Sequence, residues 1–215
     1  MTIMGKAAVL AMLTLATATG MAAESSDLSV AGTIRPAACR VELSDGGRVE
    51  YGTIVAASLN QTEGTRLADR YITLGVHCGG AVKFGVIIPD GRPGTVADGM
   101  DDLLGSDNLH GLGSVQGRNV GAYTLMFASP TVDGEDGTTL ESSNGTTWRV
   151  YDGGVTPGLR YMTAWAKPGE TTPSSLRDVT TSIRVRAGVA AKAILPPLTD
   201  SVPLDGLVTI ELKYL

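Results

Sequence analysis

The sequence predicts an all-β fold, an antiparallel sandwich, and three observations carry that expectation. Runs of alternating or β-branched residues recur along the chain, turn chemistry separates them, and helical periodicity is hard to find beyond the N-terminus. Glycine at 28 positions and proline at 10 interrupt any longer helix. The runs that read as strands are Arg48 to Val55, Arg70 to Cys78, Val82 to Ile88, Asn119 to Phe127, Thr146 to Tyr151, Arg160 to Ala166, Thr181 to Arg186 and Leu207 to Tyr214. Between them stand Asp45-Gly46-Gly47, Pro89-Asp90-Gly91, Asp133-Gly134, Asn144-Gly145 and Asp152-Gly153-Gly154. Short strands joined by such turns fit two packed antiparallel sheets.

Residues 1–22 read as a secretory signal. Lys6 charges the first stretch, Ala7 to Thr19 is mostly apolar, and small residues allow cleavage after Ala22 or Ala23. The apolar run is well short of the ~20 residues that span a bilayer. What remains, about 192 residues, is enough for one domain with its own core. Without Lys6 the chain keeps 16 Lys and Arg against 22 Asp and Glu, and no basic stripe is present. That balance disfavours nucleic acid and anionic membrane as partners.

Export also decides the cysteines. Cys39 and Cys78 both survive signal removal, and two cysteines in an exported chain predict a structural disulfide. On the chain-entropy argument a loop of that length contributes about 4 kcal/mol. His77 beside Cys78 makes the only His/Cys cluster, too few ligands for zinc. No metal and no cofactor is expected. Asp90 to Arg118 is the least strand-like stretch, read as a long ordered loop with a short helical turn around Asp101 to Leu104. Its Asp98, Asp101, Asp102 and Asp107 lack the alternation ending in a bidentate Glu that calcium loops use.

Catalytic chemistry has little to stand on, and no catalytic residue is expected. Gly113-Ser114-Val115-Gln116-Gly117 misses the spacing of a nucleophile elbow, because Leu112 holds the place of the first glycine. Asp133, Glu135 and Asp136 sit in a Gly-rich turn that offers nothing to raise one carboxyl above another. Sugar recognition is the stronger alternative, with Trp148, Trp165, Tyr151 and Tyr161 as stacking residues. Against it, a Trp on an alternating sandwich strand is usually buried.

The two ends of the exported chain set the functional expectation. In Asp27 to Ile34, the residues Leu28, Val30, Gly32 and Ile34 fall at every second position, so an extended strand presents them on one face. The segment is too short for its own hairpin, and Arg35-Pro36 turns the chain at once. At the other end Val208, Ile210, Leu212 and Tyr214 share one face of a last strand that nothing C-terminal can cover. An exposed apolar edge is an aggregation liability unless a partner pairs with it. The alternative for 27–34 is an ordinary first strand of a complete sandwich.

In order along the chain, Leu28-x-Val30-x-Gly32-x-Ile34 runs up to Ala37-Ala38-Cys39. Val49-x-Tyr51-Gly52-x-Ile54, Ile72-x-Leu74-x-Val76-x-Cys78 and terminal Val208-x-Ile210-x-Leu212-x-Tyr214-Leu215 follow. This ordered set resembles the subunits of chaperone–usher fimbriae, most closely in the first third and last ten residues. The resemblance implies an immunoglobulin-like antiparallel sandwich over 38–215, incomplete for want of its final strand, and a donor-strand extension over 23–37. It implies that Leu28, Val30 and Ile34 fill a groove in the next subunit, with Gly32 where the groove narrows. It further implies that the strand of Val208, Ile210, Leu212 and Tyr214 forms the groove edge. A periplasmic chaperone would occupy that groove until assembly at an outer-membrane usher. The implied partners are therefore neighbouring subunits of a homopolymer, the chaperone and the usher. The implied location is the periplasm in transit and then a surface fibre active in adhesion, which allows for a host or surface receptor. The alternative function is a self-contained secreted or periplasmic β-sandwich that binds carbohydrate.

Overall fold

The computed structural model describes residues 28–32, 38–155 and 158–215. The expected signal over 1–22, and Ile34 of the expected donor strand, lie outside the described residues. The chain divides between Arg35 and Pro36. Of the N-terminal unit only 28–32 are described; they belong to no strand, and Leu28 and Val30 are fully exposed.

The unit that follows is built almost wholly of strands. In chain order they are β1 (Cys39–Leu43), β2 (Thr65–Arg66), β3 (Arg70–Val82), β4 (Phe84–Ile88), β5 (His110–Gly111), β6 (Ser114–Val115), β7 (Arg118–Asn119) and β8 (Gly121–Phe127). After these come β9 (Thr131–Val132), β10 (Glu135–Asp136), β11 (Thr138–Ser142), β12 (Arg149–Val150), β13 (Gly158–Ala166), β14 (Leu176–Val189) and β15 (Glu211–Tyr214). The one α-helix among the described residues is α1 (Met100–Leu104). All the strand pairings are antiparallel. One sheet runs β1-β3-β14-β8-β5, with β2 and β9 also on β14; the other runs β12-β11-β13-β4-β15. The fold is an all-β antiparallel sandwich, as the alternating runs predict.

Alternation places the core. On β14 Val179, Thr181, Ile183, Val185 and Ala187 are buried while Thr180, Ser182, Arg184 and Arg186 face outward. On β3 Ile72, Leu74 and Val76 meet them from the neighbouring strand. Phe84, Val86 and Ile88 of β4 close the core from the second sheet, and Trp165 sits between Phe84 and Phe127 with ring centroids 5.9 and 6.0 Å away. Such offset and edge contacts suit the aromatic quadrupole. Trp165 is therefore a core residue, not a sugar platform. Tyr151 packs edge-on against Phe127, and its hydroxyl accepts the Phe127 N–H at 3.0 Å. Trp148 is partly exposed and Tyr161 exposed.

Cys39 and Cys78 are disulfide-bonded, directly opposite each other in the β1–β3 ladder. The bridge fixes β1 as the edge of the first sheet.

Three sequence expectations need correction. Arg48 to Val55 forms no strand; Gly52 has a φ of +65° and turns the run half-way, so its alternation lines a wall without joining a ladder. The last strand is regular only from Glu211, with Val208 joined by an isolated bridge to Asp90. The interruption falls opposite Pro89, which has no N–H to return to Thr209. Finally, the stretch from Asp90 to Arg118 is more structured than a loop. It carries α1 where a helical turn is expected, but also β5, β6 and the start of β7. Helix α1 lies so close to β14 that a Cβ on Gly188 would stand 2.6 Å from Leu103 Cδ2.

Candidate functional site

The two sheets leave one flank open between them. At the open flank β1 is the edge of the first sheet and β15 the edge of the second. An apolar cleft runs between them. One wall is the stretch after β1, with Leu43, Val49 and Tyr51; the other is the stretch entering β15, with Leu204, Val208 and Ile210. The floor is core itself: Ile72, Tyr123, Leu125, Ile183 and Val185. This lobe holds about 230 Å³. A second lobe of about 450 Å³ continues past Val49, Tyr51 and Leu204 toward Ile54, Leu195 and Leu198, and carries Glu50 and Asp200 at its rim.

Hydrogen-bond phase shows what the edge strand offers. Leu207 accepts from the Gly91 N–H, Thr209 donates to Pro89 O, and Leu215 donates to Lys83 O, at 2.8, 3.4 and 3.0 Å. The odd-numbered residues thus point their backbone groups inward to β4. In an antiparallel ladder the intervening residues point theirs the other way. Val208, Ile210, Leu212 and Tyr214 therefore present N–H and C=O groups to the open flank, and among the described residues of 38–215 no hydrogen bond reaches those groups. Val208, Ile210 and Leu212 also pack their side chains on the core. The same residues supply an unpaired backbone edge and an apolar wall.

Tyr214 does something alternation could not show. It is largely exposed, and its hydroxyl accepts the outward N–H of Cys39 at 3.0 Å. That bond ties the edge of one sheet to the edge of the other and closes the cleft at the disulfide end. The opposite wall is held by Tyr51, whose hydroxyl donates to Val185 O at 3.5 Å while the Arg70 guanidinium stacks 5.4 Å over its ring. Burial pushes the Tyr51 hydroxyl up to about 12 against the opposing pull of Arg70, so this wall stays neutral.

Behind the cleft lies a buried imidazole. His110 on β5 is fully buried and stacks on Tyr123 of the floor, centroid to centroid 5.2 Å. Neither ring nitrogen reaches good hydrogen-bond geometry with a partner. Burial pulls its pKa below the ordinary 6.5, with Asp90 and the backbone of Ile88 and Tyr123 opposing more weakly. The unfolded chain therefore takes up the proton first. Stability is expected to be full above about pH 6.5 and to fall as the pH drops below it. Denaturant melts between pH 7.5 and 5.5 check this, and His110→Phe is expected to flatten the slope.

Among the described residues no three His, Cys, Asp or Glu side chains could hold a metal together. His77 donates its Nδ1–H to the Asp178 carboxylate at 2.7 Å on the surface of the first sheet, away from any cluster. Asp133 is exposed in its turn, as expected, and accepts the Arg177 and Asp178 N–H groups, each at 2.9 Å. Among the described residues no helix is long and apolar enough to cross a membrane. Of the expected donor residues, Leu28, Val30 and Gly32 are solvent-facing and a Cβ on Gly32 would meet nothing within 4 Å.

The comparisons with known proteins reach both walls of the cleft. Residues 28–124 match the family model described as a protein of unknown function, DUF1120. That match takes in Leu28 to Gly32, both cysteines, the wall at Val49 and Tyr51, and Tyr123 of the floor. Two proteins of Escherichia coli K12 are similar along nearly the whole chain. Protein GltF is 29% identical, over 97% of this chain and 96% of its own length. The uncharacterized protein YhcF is 24% identical, over 90% of this chain and 92% of its own length. The similarity to these two bacterial proteins thus extends well beyond the residues matched by the family model.

Proposed function

We propose that this protein is an exported structural subunit of a surface fibre, joined to its neighbours by a donated β-strand. The observation that carries the reading is the cleft beside the free edge of Val208 to Tyr214, apolar inside and lined by unpaired backbone groups. A strand laid there gains main-chain hydrogen bonds along the edge and pockets for alternate side chains. The N-terminal segment has matching dimensions. Leu28 to Ile34 and Val208 to Tyr214 both run seven residues, about 20 Å as extended chain. Leu28, Val30 and Ile34 then fill the cleft, each contributing roughly 1.5–3 kcal/mol. Gly32 lets the backbones approach where a side chain would collide. In transit the edge is occupied by a periplasmic chaperone, and exchange takes place at an outer-membrane usher.

A synthetic peptide of residues Glu24 to Arg35, added to the purified protein, tests this directly. Expected are a rise in melting temperature and slowed amide exchange at Val208, Ile210 and Leu212. The same peptide carrying Gly32→Leu is expected to do neither. No protection of those three amides would remove the strand-donor reading.

A further inference from the structure

The outer face of the first sheet, remote from the cleft floor, carries positive charge that its own neighbours leave uncompensated. Arg184 and Arg186 stand two apart on β14, so both project from one face about 7 Å from each other. Arg66 of β2, opposite Gly188, joins that face. All three guanidinium groups converge on one carboxylate: Asp69 lies 3.3 Å from Arg66, 3.9 Å from Arg184 and 3.9 Å from Arg186. Among the described residues no other acidic side chain comes within ion-pair distance of the three, so two positive charges remain unmatched.

The hydrogen bonding is equally incomplete. Arg186 donates one N–H to Leu104 O at 2.9 Å, yet its buried Nε has no hydrogen-bond partner. Thr124, directly opposite on β8, has a buried hydroxyl with none either. Arg184 spends one N–H on the Met126 sulfur, a weak acceptor. Beside it Tyr71 is the cross-strand partner of Arg184, and its ring is 65% exposed. Tyr71 thus offers a large aromatic face to solvent directly beside these guanidinium groups.

We infer that this face binds an acidic oligosaccharide, with Arg184 and Arg66 on its anionic groups, the more buried Arg186 adding positive charge behind them, and Tyr71 stacked on a sugar ring. Guanidinium groups recognise carboxylate and sulfate through paired N–H donors. The exposed ring supplies the apolar face that a pyranose covers and a bare anion does not. Long polyphosphates are the less suitable occupant, because they offer no apolar face for the exposed Tyr71 ring to cover. This site uses none of the cleft residues, so its success or failure is independent of the fibre reading.

The test is calorimetric titration of the purified protein with an oligogalacturonide, a heparin-derived hexasaccharide and neutral maltohexaose. Expected is binding of an acidic sugar that weakens with added salt and is absent for the neutral one. Arg184→Gln is expected to raise Kd about tenfold, and Tyr71→Ala to raise it several-fold with an unchanged melting temperature. Because Tyr71 is exposed, that variant keeps the test open if Arg184→Gln folds poorly. Equal binding of the neutral sugar, indifference to both substitutions, or full displacement by equimolar inorganic phosphate would each overturn the assignment.

Discussion

Replacing Ile210 with Asp is expected to abolish capture of the N-terminal strand while the sandwich stays folded. Ile210 is only partly buried when the cleft is empty, packing on the core from the wall side. Water still reaches that wall, so an aspartate there stays solvated and the melting temperature should move little. Seating a donor strand changes the environment. The carboxylate would be enclosed against Leu28, Val30 or Ile34 with no cation to pair with, at a cost of several kcal/mol. Three buried aliphatics contribute very roughly 5–9 kcal/mol before ordering is counted. The penalty therefore takes most of the gain, and peptide affinity should fall at least a hundredfold, about 2.7 kcal/mol. Ile210→Val, which keeps shape and polarity, should bind within a few-fold of the parent. Gly32→Leu in the full chain probes the same contact from the donor side: the monomer should fold, and higher oligomers should vanish from a non-reducing gel of unheated protein. Wild-type affinity in Ile210→Asp would place the donor elsewhere.

Much of this architecture was legible in alternation, and what was missed has physical causes. β3 and β14 read as strands because one face of each is core, so period-two patterning survives in Ile72, Leu74 and Val76 and in Ile183 and Val185. β4 was found by its continuous apolar run. Arg48 to Val55 carries the same signal for a different reason: Val49 and Tyr51 face the cleft, and pairing, which alternation cannot report, never forms. The two-residue strands β5, β6 and β7 are too short to hold a period. Their positions come from close approaches that only the folded chain displays, such as Gly111 of β5, where a Cβ would stand 2.7 Å from Arg92 O. For the candidate site, the sequence yielded the disulfide and the C-terminal edge residues, but not β1, whose five residues carry no run long enough to stand out. It could not yield the hydroxyl bond from Tyr214 to Cys39, which joins residues 175 positions apart. Nor could it bring Arg66, Asp69 and Arg184 to one place, since that depends on β2 pairing with the far end of β14.

Removing the Cys39–Cys78 bridge should show how far the cleft depends on its wall. The bond closes a 39-residue separation, for which the loop-entropy argument gives about 4 kcal/mol. At 2–4 °C per kcal/mol for a domain of this size, the melting temperature should fall by roughly 8–16 °C on replacing both cysteines with serine. The second consequence is local. β1 is an edge strand bonded only to β3, and it carries both the disulfide and the N–H that Tyr214 accepts. Loss of the bridge should let β1 fray, release Tyr214 and open the cleft at that end. Tyr214→Phe separates the two effects. It deletes one exposed hydrogen bond worth about 1 kcal/mol and leaves the bridge intact, so it should weaken peptide binding slightly and barely move the melting temperature. If the double serine variant melts lower but binds the Glu24–Arg35 peptide as well as the parent, β1 is a stabilising strand only. If binding falls with stability, the disulfide shapes the acceptor site itself, and an oxidising compartment is a condition of assembly as well as of folding.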